Sequence, residues 1–121
     1  MSVIVLPEFD TGQYESHEFQ MAEGNADLLI KIADLPDFKI HFRRVRWHQY
    51  TQMYSCDPSW IRAAYFRLVE VSPDERLRHF LAQDRASVKA YGKLFHYRIF
   101  LDESGCHEVF AEEASAYKPN I

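Results

Sequence analysis

The segment DLLIKIADLPDFKIHFRRVRW, residues 27–47, constrains the fold more than any other part of the chain. Leu28, Ile30 and Ile32 recur at every second position, and Ile40 and Phe42 resume the same spacing. An amphipathic helix would repeat its apolar residues every three to four positions instead. Side chains alternate across a strand, so this spacing builds two half-buried strands, with Asp34-Leu35-Pro36-Asp37 turning the chain between them. A hairpin is therefore the expected unit. Upstream, YESHEFQMA sets His17, Phe19 and Met21 against Ser16, Glu18 and Gln20, which reads as a further strand.

The second alternating stretch is KLFHYRIFLDESGCHEVFAEE. Phe95, Tyr97, Ile99 and Leu101 share one face, and His96, Arg98, Phe100 and Asp102 the other. Asp102-Glu103-Ser104-Gly105 then turns the chain into a strand from Cys106 to about Glu113. Between the two hairpins, KIHFRRVRWHQY changes its apolar parity: Ile40 and Phe42 are even, Val45 and Trp47 odd. One regular strand cannot hold all four on one face. A bulge near Arg43-Arg44 and a strand buried on both faces each account for the change.

CDPSWIRAAYFRLVEV opens with Asp57 as an N-cap and Pro58 at the first helical position, which predicts a short helix followed by a strand from Tyr65 to Val71. A single helix through Val71 is the alternative, since Trp60, Ala64, Leu68 and Val71 also keep helical spacing. Ser72-Pro73-Asp74-Glu75 predicts a helix over 73–83 with Ser72 as its N-cap. Leu77, Phe80 and Leu81 would face inward, leaving Arg76, Arg78, His79 and Gln83 to solvent. Together these elements predict an α+β fold: an antiparallel sheet with one or two helices packed on one side.

At 121 residues, 47% hydrophobic and 15% aromatic, the chain suits one globular domain over residues 1–121. Its 18 acidic against 14 basic residues, a net charge of −4, disfavour nucleic acid as a partner and suit a basic protein better. Val3 to Leu6 is too short for a signal-peptide core and no stretch approaches a membrane span, so a cytoplasmic location without a membrane partner is expected. In a reducing compartment Cys56 and Cys106 are expected as free thiols.

No glycine-rich phosphate loop, GxSxG, HExxH or CxxC spacing occurs, so no catalytic, cofactor-binding or metal-ligating residue is assigned. If Leu101 pairs with Cys106, His96 and His107 share a face about 13 Å apart, too far to hold one zinc ion. Cys106 then projects to the opposite face from His107 and reads as a small buried hydrophobe. The same register points Glu108 among Tyr97, Ile99 and Phe110, but acids are seldom buried, and a strand-edge glutamate reaching solvent is the preferred reading.

The succession CDPSWIRAAYFRLVEV, a capped helix and HYRIFLDESGCHEVFAEE resembles, over residues 56–113, a group of small bacterial proteins similar to toxin-immunity proteins. The resemblance implies a stoichiometric inhibitor and carries over no functional residue. The expected function is non-catalytic protein binding, with a bacterial toxin domain of basic surface as the partner. Asp102, Glu103, Glu108, Glu112 and Glu113 would meet that surface, with Trp47, Tyr50 and Tyr54 as aromatic anchors. One alternative is a small enzyme using a carboxylate and a histidine, Glu108 being the candidate acid. Another is a single-stranded nucleic-acid binder using Arg43–Tyr50, where arginines interleave with rings suited to stacking. A pocket holding a buried carboxylate beside a histidine would favour the enzyme, and a flat acidic face would favour binding.

Overall fold

The computed structural model describes residues 2–72, 74–83 and 93–117. Among them, nine strands form two antiparallel sheets. The first has the order β1 (Ser2–Val5), β6 (Arg67–Glu70), β7 (Phe95–Leu101), β8 (Gly105–Ala111), β5 (Trp47–Gln52). The second has the order β2 (Tyr14–Ala22), β3 (Asn25–Ile32), β4 (Phe38–Arg43), β9 (Glu113–Tyr117). Helices α1 (Pro58–Ala64) and α2 (Glu75–Gln83) complete an α+β architecture.

The second sheet follows the alternation directly. Leu28, Ile30 and Ile32 on β3 and Phe38, Ile40 and Phe42 on β4 are all buried, with Leu28 opposite Ile40 and Ile30 opposite Phe38. β2 joins β3 through Glu23 and Gly24, both at positive φ (54° and 82°), as a two-residue turn matched to strand twist requires. His17 and Phe19 turn inward, half-buried, whereas Met21 stays exposed.

The parity change has neither of its expected causes. β4 ends at Arg43, and the chain then leaves the second sheet for the first. Arg44 takes φ 55° with its amide on Asn25 Oδ1 (2.9 Å), Val45 N bonds Gly24 O (2.6 Å) and Arg46 N bonds Phe110 O (2.8 Å). Residues on either side of this crossing belong to different sheets, so a shared face is not required of them.

In the first sheet, Leu101 pairs with Gly105 rather than Cys106, one residue tighter than expected, across a turn in which Glu103 takes φ 60°. Phe100 therefore faces Cys106, Arg98 faces Glu108 and His96 faces Phe110, whereas Ile99 faces His107 and Tyr97 faces Val109. His96 and His107 consequently lie on opposite faces. Tyr97, Ile99, Leu101 and Val109 join the hydrophobic residues of β3 and β4 in one core. The other face lies under the helices: Trp60 of α1 sits 4.2 Å from the Arg98 guanidinium, Ala64 clusters with Phe100, Cys56 and Cys106, and Phe80 of α2 lies 5.1 Å from Phe110. Every residue of β8 is buried as a result.

Helix α1 starts as predicted, with Asp57 Oδ1 accepting from Ser59 N (2.8 Å) and Pro58 in the first turn, and the strand after it spans Arg67–Glu70. Helix α2 corrects the expected cap. It begins at Glu75, and Asp74 Oδ1, not Ser72, accepts from Leu77 N (3.0 Å); Pro73 lies outside the described residues. Asp74 stands three residues before the amide it caps, the spacing an N-cap carboxylate needs. Ser72→Ala should therefore shift stability by less than about 0.5 kcal/mol, as at an ordinary surface site. Asp74→Ala should cost at least about 1 kcal/mol, the usual loss of a cap. Urea denaturation of the two variants separates these outcomes.

Candidate functional site

Glu108 is fully buried, not at a solvent-facing strand edge. Its Oε1 accepts from Arg76 Nη1 (3.1 Å), and its Oε2 accepts from Arg76 Nη1 (3.0 Å), Arg98 Nη2 (3.1 Å) and Arg98 Nε (3.3 Å). The His96 ring bridges two carboxylates, with Nε2 2.7 Å from Glu108 Oε2 and Nδ1 2.5 Å from Asp74 Oδ2. Register supplies β7 and β8 with facing polar side chains, and α2 brings Asp74 and Arg76 over them. Burial alone would raise the Glu108 pKa, but the His96 hydrogen bond and the charges of Arg98 and Arg76 outweigh it and hold the carboxyl at about 2.

This carboxylate and histidine are spent on each other and on two arginines. A general acid or base must reach the proton it transfers, within about 3 Å or through one water. Glu108 and His96 have side chains of zero exposure. A hollow of about 480 Å³ beside the network is lined by Trp47, Glu75, Arg76, His79, Phe80, Gln83 and Phe110, and another of about 410 Å³ includes Arg98; neither is lined by Glu108 or His96. Arg76, read as solvent-facing from the helix pattern, is exposed along its side chain (42%), and its guanidinium also reaches Glu108.

The remaining sequence candidates fall into three places. Trp47 is half-buried, stacked on Phe110 (4.4 Å) with Arg76 5.1 Å from its ring. Glu112 and Glu113 sit at the β8–β9 junction, where Arg43 reaches both (3.4 Å each) and Arg44 Nε lies 2.7 Å from Glu112. Those ion pairs also remove Arg43 and Arg44 from the continuous basic strand that the nucleic-acid reading requires.

Tyr50, Tyr54, Asp102 and Glu103 do converge. A hollow of about 330 Å³ is lined by Tyr50, Gln52, Met53, Tyr54, Glu103 and Ser104. A second, of about 200 Å³, is lined by Thr11, Gly12, Tyr14, Asp102 and Glu103. Glu103 thus stands between them. Tyr54 is 94% exposed and Tyr50 40%. Asp102 is held in place by bonds from Tyr65 Oη and Glu103 N (3.0 Å each), and among the described residues neither acid pairs with a cation. The segment after β5 and the β7–β8 turn meet here because Met53 N bonds Ser104 O (3.1 Å).

Cys56 and Cys106 are free and buried, and burial raises both thiol pKa values, which disfavours the nucleophilic thiolate. Among the described residues, no group of three or more His, Cys, Asp or Glu side chains is arranged to hold a metal ion, and no helix is long and apolar enough to cross a membrane. No family model, curated protein or solved structure matches the chain.

Proposed function

We propose that the chain acts by binding another protein through the face formed by Tyr50, Tyr54, Asp102 and Glu103, and that the partner presents a basic surface. The carrying observation is Tyr54, 94% exposed beside a hollow that it lines with Tyr50 and Glu103, an acid without a cationic partner among the described residues. Tyrosine offers large contact area and a hydroxyl, which makes it a common anchor in interfaces, and acids around it steer a basic partner into register. The resemblance over residues 56–113 supports a bacterial toxin as that partner and its stoichiometric neutralisation as the outcome. The sealed Glu108–His96 pair weighs against the acid–base enzyme.

The test is affinity capture of the partner, followed by association kinetics at several ionic strengths. Tyr54→Ala should weaken binding about 30-fold, the size of an interface hot spot. Asp102→Asn with Glu103→Gln should slow association at low salt and match the unaltered protein at high salt, because screening removes steering first. Full affinity in Tyr54→Ala with unchanged salt dependence in the charge variant would exclude this face. Turnover of a small substrate with no captured protein would return the enzyme reading.

A further inference from the structure

Behind the binding face, three histidines from three strands meet where the sheets join. His17 comes from β2 of the second sheet, His48 and His107 from β5 and β8 of the first. His48 Nε2 lies 2.9 Å from His107 Nδ1, and the His17 ring stands edge-on to His107 with centroids 4.7 Å apart. Phe19 stacks on His48 at 3.7 Å and on His107 at 5.6 Å. Tyr14 Oη bonds His17 Nδ1 (2.8 Å) and Ser104 Oγ (3.0 Å), and the Tyr50 ring lies 4.8 Å from His107 and 5.4 Å from His17. Ile99 of β7 pairs with His107 on its remaining side. The titratable groups facing the rings are therefore the rings themselves and the phenols of Tyr14 and Tyr50, with no carboxylate or guanidinium among these contacts. His107 is 3% exposed, and its Nε2 is buried without a hydrogen-bond partner.

We propose that the three imidazoles form an acid-operated clasp between the two sheets, closed while the rings are uncharged and opened when they take protons. The His48–His107 bond needs one nitrogen to donate and the other to accept; a charged His48 can still donate to a neutral His107, but once His107 is charged too neither ring can accept and the bond is lost. A cation formed on His107 is buried, faces no anion among the described residues, and sits beside the half-buried rings of His17 and His48. Burial, aided by the neighbouring His17 and His48, lowers the His107 pKa to about 3, and burial lowers those of His17 and His48.

The sign follows from proton uptake. Each folded pKa lies below the unfolded value of about 6.5, so between the two the unfolded chain binds more protons. The clasp's stability is present above about pH 6.5 and is lost as pH falls. For His107 alone, a pKa of about 3 against about 6.5 lowers the folding equilibrium constant about 30-fold between pH 7.5 and pH 5.

Urea denaturation of the whole chain at pH 7.5 and 5.0, for the unaltered protein and His107→Phe, tests the clasp without any partner. The unaltered protein should lose at least about 30-fold in folding equilibrium constant, and the variant about tenfold less or better. Equal losses would overturn the proposal. Should the variant not fold, NMR titration of the imidazole resonances in the unaltered protein decides instead: the His107 ring should stay neutral in the folded protein down to pH 5, and a ring titrating near 6.5 overturns the clasp.

Discussion

Glu108→Gln is expected to destabilise the protein by about 3–5 kcal/mol at neutral pH, the usual cost of removing one partner from a buried ion network. The amide keeps the size of the side chain but not its charge, so Arg98 and Arg76 lose the anion that compensates them. Its NH2 group must also face nitrogen donors where an oxygen stood. The effect depends on pH in a defined sense. A carboxyl held at about 2 contributes stability that is fully present above its ordinary value near 4.5 and is lost as pH falls toward 2. The gap between the unaltered protein and the variant should therefore narrow below about pH 4.5. Denaturation midpoints measured from pH 7 to pH 2.5 check this, with exposed Glu103→Gln as a control expected to stay within about 0.5 kcal/mol. A Glu108→Gln protein of undiminished stability at pH 7 would mean that the network does not form.

Gly105→Ala is the second large loss, about 3 kcal/mol, at the upper end of what overpacking costs. A Cβ on Gly105 would stand 2.2 Å from Thr51 O and 3.0 Å from atoms of the Tyr50 ring. The tyrosine can swing away, but the carbonyl belongs to β5 and can yield only if that strand parts from β8. Separation breaks the Gln52–Gly105 pairing and strains the Met53 N to Ser104 O bond that joins the two halves of the proposed binding face. Thermal denaturation should show the loss, and partner affinity should fall with it. An alanine variant of unchanged midpoint would refute the close approach of β5 at this point.

Much of the candidate site was legible because its members lie where local rules operate. Asp102 and Glu103 fall in a turn that the flanking alternation demands, so their place at the hairpin tip, with Glu103 exposed, follows from hairpin chemistry alone. Tyr50 and Tyr54 were legible as anchors from residue type alone, because aromatics are common interface anchors. Arg76, His96 and Arg98 went unrecognised as partners of Glu108, and Asp74 as the partner of His96. A one-residue error in register placed Glu108 on the face of Tyr97 and Ile99, since a slip of one exchanges the two faces of a strand.

By itself, the sequence determined which residues share a strand face, where hairpins and the Asp57-Pro58 helix start, and hence the α+β class, because each depends on spacing within some ten residues. The tertiary structure alone decided what covers each face. The His96–Arg98 side of β7 reads as a polar surface, yet α1 and α2 close over it and turn its charges into a buried network. The crossing at Arg44–Arg46 sends one apparent strand into two sheets, and the close approach of β5, not turn geometry, is what demands glycine at 105. Burial and register at these points arise from contacts between elements far apart in the chain, and such contacts leave no periodicity in either partner taken alone.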